Sequence, residues 1–152
     1  MMRVCVFQAV LVAGAIVAGA AGPAVANDAA HCSVGALQGL YVLSASGFII
    51  PASGSPQPKA IVEVIRFNGD GTLTAPTATR SINGVVATSP PGGTGTYTVD
   101  DLVPADGACV GHLTFTNGPS WTFTIPHKAD TLSMIQTDSG NVFQGSAVKV
   151  AR

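Results

Sequence analysis

The 152-residue chain carries seven Lys/Arg against eight Asp/Glu and is only 10% charged. Its charges are scattered, so it offers no basic stripe for nucleic acid or anionic lipid. Thr, Ser, Gly and Val dominate the part after the N-terminal apolar run, a mix that suits β-structure and argues against helix bundles.

Met1-Met2-Arg3 is a short basic start, Val4 to Ala21 is almost unbrokenly apolar, and Gly22-Pro23 is followed by Ala24-Val25-Ala26. This is the layout of a secretory signal peptide over residues 1–26, with cleavage between Ala26 and Asn27. The competing reading is a membrane anchor. The run is rich in Ala and Gly, weak for a span of roughly 20 residues, and it ends in a good cleavage site. Residues 27–152 then form one domain large enough for a real core. It is exported to the periplasm or the extracellular space and is not held in a membrane after cleavage. Six basic against eight acidic residues give that part a formal charge of −2. Cys5 lies in the signal segment, which leaves Cys32 and Cys109. Two cysteines in an exported chain predict one disulfide, Cys32–Cys109, rather than two free thiols, and their spacing fits no zinc motif.

Asn27–Gly39 reads as a lead-in anchored by Cys32. Leu40–Ile50 is the first strand, with Tyr41, Leu43 and Ala45 on one face. Pro51–Pro58 is a loop. Ala60–Thr74 then carries the strongest local signal: a β-branched run, the turn Asn68-Gly69-Asp70-Gly71, and a second alternating run. Ile61, Glu63, Ile65 and Phe67 share one face of its first strand. Thr72–Ile82 continues as a strand disturbed at Pro76. Asn83-Gly84 is a type I′ turn signal leading into Val85–Thr88. Ser89–Gly93 must be a loop, because its two prolines cannot donate to a ladder. Thr94–Val99 is a strand and Asp100–Gly107 an acidic loop. Cys109–Asn117, Ser120–Ile125, Leu132–Thr137 and Val142–Ala151 complete eight or nine strands, with turns every 8–12 residues. The expected fold is all-β: a single antiparallel up-and-down β-barrel of about eight strands, whose closure removes exposed edges.

Cys32…Leu37-Gln38-Gly39-Leu40-Tyr41, Phe67-Asn68-Gly69-Asp70-Gly71, Ser81-Ile82-Asn83-Gly84 and Gly95-Thr96-Tyr97-Thr98-Val99 together resemble a group of small exported bacterial proteins of uncharacterised role. So do Cys109-x-Gly111-x-Leu113-Thr114-Phe115, Ile135-Gln136-Thr137-Asp138-Ser139-Gly140 and Gly145. The resemblance covers most of Cys32–Arg152. It implies a calycin-like or allene-oxide-cyclase-like barrel and carries no catalytic residues with it.

Asn68-Gly69-Asp70-Gly71-Thr72-Leu73 matches the inner part of a calcium-binding EF-hand loop. However, Arg66 and Thr77 stand where the first and twelfth ligands are needed, so the stretch is read as a turn. His31, His112 and His127 show no metal-ligand spacing, and His112 is expected to be solvent-facing or hydrogen-bonded. No nucleophile elbow, P-loop or dinucleotide fingerprint appears. Glu63 is the one carboxylate inside an apolar strand run. It either points into a barrel lumen with a raised pKa, or it faces solvent or pairs with Arg66 or Arg80; the second alternative is favoured. Phe67, Tyr97, Phe115, Trp121 and Phe123 are expected to fill the core.

The expected role is a non-catalytic binding or structural module. Glu63, Tyr97 and Trp121 are the candidate ligand-binding residues, the ligand is small and apolar or the partner is another protein, and no metal, cofactor or catalytic residue is expected. A cyclase- or isomerase-type enzyme, by analogy of fold, and a secreted interaction module are the alternatives.

Overall fold

The computed structural model describes residues 32–103, 108–126 and 129–151. The expected signal segment over residues 1–26, His31, His127 and the end of the expected acidic loop lie outside them. Nine strands follow one 3-10 turn at Val34–Leu37: β1 (Gly39–Ile49), β2 (Gln57–Phe67), β3 (Thr72–Ile82), β4 (Val85–Ser89), β5 (Gly93–Val103), β6 (Ala108–Phe115), β7 (Ser120–Ile125), β8 (Thr131–Gln136) and β9 (Asn141–Ala151). All pairings are antiparallel. β2 pairs with both β1 and β3, and β1 pairs with β9, so eight strands close on themselves as a barrel with β4 as an extra. The expected barrel is therefore present. To the expected up-and-down order β4 adds one extra strand.

β4 and β5 lie in line along the same edge of β3. Ala78↔Ser89 is the last pair of β4, and Ala75↔Gly93 is where β5 takes over. Between them sit Pro90 and Pro91, which lack the N–H a ladder needs. The fourth position of the barrel is thus one strand broken in two. Only its lower part, β5, pairs onward with β6. The break is matched across the ladder. Leu73 and Ala75 face inward, and so do Ala78, Arg80 and Ile82. The inward parity switches at Pro76-Thr77, where the β2–β3 register also shifts between Val64 and Arg66. The disturbance expected at Pro76 takes the form of a β-bulge.

Alternation places the core. Tyr41, Leu43, Ile65, Phe67, Leu113, Trp121, Phe123, Ile125, Leu132, Phe143 and Ala147 are buried inside the barrel. Phe67 meets Tyr41, Tyr97 and Phe123 edge-to-face at 5.2, 4.9 and 6.4 Å. Gly111 has room only for a hydrogen, because a Cβ there would lie 2.2 Å from Cζ of Phe123. The expected disulfide is formed, with Cys32 and Cys109 Cα atoms 5.4 Å apart and a sequence separation of 77. In the chain-entropy picture closing such a loop stabilises by ~4.5 kcal/mol. Among the described residues no helix is long and apolar enough to cross a membrane.

Candidate functional site: the open mouth of the barrel

One end of the barrel is closed by its own chain. Leu37 of the 3-10 turn is fully buried. The Tyr97 hydroxyl donates to Val34 O (2.8 Å) and accepts from Gly69 N (3.1 Å), and the Tyr41 hydroxyl donates to Ala129 O. Burial raises the pKa of both phenols, so they remain protonated donors. The Asn68–Thr72 turn lies at this end. Oδ1 of Asp70 accepts from N and Oγ1 of Thr72 (2.9 and 2.6 Å), which lowers its pKa and commits it to the turn.

The other end is open. A half-open cavity of about 580 Å³ lies between the β2–β3–β4 wall, the β6–β7 turn and the end of β8. Its walls are Ile61, Ala75, Ala78, Ile82 and Phe115, and its polar groups come from Lys59, Glu63, Arg80, Gln136 and Asp138. The volume falls within the range of small-molecule sites.

Glu63 is set in the wall by alternation with Ile61, Ile65 and Phe67. It is 7% exposed. β1 places Leu43 beside it and β3 places Ala78. Among the described residues its carboxyl has no hydrogen-bond or ion-pair partner. Burial pushes its pKa from the ordinary 4.5 to about 7, and burial is the only cause. The expectation of a solvent-facing or paired Glu63 is therefore corrected. Arg66 lies on the outer face, and Arg80, although it lines the same cavity, forms no ion pair with Glu63.

The rim is built by a chain of hydrogen bonds. Lys59 Nζ donates to Gln136 Oε1 (2.9 Å) and Asn141 Oδ1 (3.5 Å), and sits 4.2 Å above the Phe143 ring. Gln136 Nε2 donates to Asp138 Oδ2 (2.8 Å), which also accepts from Ser120 N (3.0 Å). Desolvation lowers the Lys59 pKa, Asp138 opposes that shift and Arg80 reinforces it. Arg80 lies on the strand paired with that of Lys59, so the two cations sense each other along one wall of the mouth, and among the described residues no carboxylate forms an ion pair with either.

The three residues singled out from the sequence do not form one site. Glu63 lines the mouth. Tyr97 belongs to the closed end. Trp121 is in the core, tilted against Phe143 at 5.6 Å, and its buried indole N–H has no acceptor among the described residues. Lys59, Gln136 and Asp138 were not anticipated. The signal for Lys59 was its parity with Ile61 and Glu63, hidden by Pro58 at the strand start. His112 is on the outer face, with Nδ1 2.9 Å from Thr122 Oγ1 and Nε2 3.7 Å from Asp100. Among the described residues no group of three His, Cys, Asp or Glu is placed to hold a metal.

A scan against protein-family models, a search of curated proteins and a search of solved structures each find no match to this chain. The fold and site define a class by geometry alone: a small disulfide-tied β-barrel, closed at one end and open at the other over an unpaired carboxyl.

Proposed function

We propose that this protein is an exported binding module that holds a small, partly apolar molecule in the mouth of its barrel. The observation that carries the reading is the 580 Å³ cavity with Glu63 unpartnered in its wall. A largely buried carboxyl in the wall of an open cavity is a polar group that a bound ligand can cover or contact. The disulfide is compatible with an oxidising, exported location. The signal-peptide pattern and the resemblance to small exported bacterial proteins with calycin-like or allene-oxide-cyclase-like barrels agree with that. The ligand proposed here is partly polar, where the sequence led to a small apolar one, because charged groups line the cavity.

A cyclase- or isomerase-type activity is the second reading. It is favoured by one observation only, a carboxyl whose pKa of about 7 suits proton transfer. Native mass spectrometry of the protein purified from its exported compartment tests the first reading. A stoichiometric small-molecule adduct lost on Ile61→Trp, which fills the cavity, is the expected result. A bare mass together with no thermal stabilisation by any of a set of small amphiphiles contradicts it.

A further inference from the structure

The mouth contains three charged side chains besides Glu63: Lys59, Arg80 and Asp138. Arg80 is there because of the Pro76 bulge, which turns the even-numbered residues of β3 inward. Without it, Arg80 would point to the outer face. Lys59 and Glu63 are four residues apart on one strand face, hence about 13 Å along the wall, with Ile61 between them. Polar groups thus mark the rim, an apolar belt lies below them, and a carboxyl sits deeper still.

The charge balance decides what such a mouth accepts. Lys59 is hydrogen-bonded to two neutral amides, and Asp138 is held by Gln136 and Ser120. Two cations against one carboxylate leave the rim at +1. With Glu63 protonated the whole mouth keeps that charge and complements a monoanion. With Glu63 ionised it is neutral, and an anion would enter beside a buried negative charge. A cationic ligand would have to pass both Lys59 and Arg80.

We propose that the mouth takes a small organic monoanion with an apolar body, its anionic head between Lys59 and Arg80 and its body against Ile61 and Phe115, covering the Glu63 carboxyl. This names the ligand class of the binding reading above and rests on it. Covering Glu63 removes its remaining contact with water, which favours its neutral form further, so binding the anion and binding the proton reinforce each other. The charged groups that share the cavity with Glu63 are Lys59, Arg80 and Asp138, but β1 and β3 place only Leu43 and Ala78 directly beside the carboxyl, whose raised pKa comes from burial alone.

Three probes sharing one body separate the possibilities: phenylpropionate, phenylpropanol and phenylpropylamine, titrated by calorimetry into the disulfide-bonded protein between about pH 5.5 and pH 8.5, a range that spans the Glu63 pKa. The expected order places phenylpropionate tightest at the acid end. Its affinity then falls by roughly tenfold per pH unit above about 7, as binding to the protonated form requires. Glu63→Gln flattens that profile, and Arg80→Gln weakens phenylpropionate at least fivefold while leaving phenylpropanol unchanged. Equal or tighter binding of the alcohol or the amine, or a pH-independent phenylpropionate affinity in the unmutated protein, overturns this inference and leaves the binding reading standing. Binding by none of the three also overturns this inference, while the native mass decides the binding reading separately.

Discussion

Glu63 has the largest consequences of any single side chain in this barrel. Its folded-state pKa lies above its unfolded one, about 7 against 4.5. The folded state therefore holds the proton more tightly than the unfolded chain does. That stabilisation is fully present below pH 4.5 and is lost as pH rises through about 7, amounting to up to about 3 kcal/mol. Glu63→Gln keeps the shape and removes the ionisation. Urea midpoints at about pH 5 and pH 8 are expected to converge in the variant, while the unmutated protein is weaker at the higher pH. Parallel pH profiles for the two proteins would show that Glu63 ionises without cost, and so is not buried as described. The face that Glu63 shares with Ile61, Ile65 and Phe67 was legible from alternation, although a solvent-facing or paired carboxyl was favoured there. Its lack of a partner was not, because the side of β3 from which Arg80 projects is decided by the bulge at Pro76 and not by simple alternation.

At the scale of elements, the broken strand β4/β5 shapes the mouth. Pro90 and Pro91 were readable as a loop, and Asn83-Gly84 as a turn; both residues of that turn take positive φ, 48° and 84°. What no local pattern reveals is that the two flanking strands share one edge of β3, a relation made by pairing across the barrel. Among the described residues β4 pairs only with β3, and Val85 and Val86 are 72% and 66% exposed. Its hairpin is fastened to the wall by Asn83 N donating to Pro58 O (2.8 Å). Amides of Val85–Ser89 are expected to exchange with deuterium roughly a hundredfold faster than those of β1, which is paired on both sides. Protection in β4 equal to that in β1 would mean that its outer edge is covered, as by a second strand.

The whole molecule is polarised along its axis. At one end the 3-10 turn, the Cys32–Cys109 bridge and the hydroxyls of Tyr41 and Tyr97 seal the barrel with hydrogen bonds to the main chain. At the other end the break in the fourth strand leaves the cavity open beside a ring of charged side chains. This explains why Glu63, Tyr97 and Trp121 were grouped from sequence and yet lie apart. Each is a large or polar residue on an inward face, but its height along the barrel depends on closure and register, which composition and alternation do not encode. The most direct measurement is a chemical-shift map recorded with saturating phenylpropionate at about pH 6, below the Glu63 pKa. Shifts confined to Lys59, Ile61, Glu63, Ala78, Arg80 and Phe115 are the predicted result. Shifts centred instead on the outward valines Val142, Val148 and Val150, or at the sealed end around Tyr97, would contradict the mouth as the site.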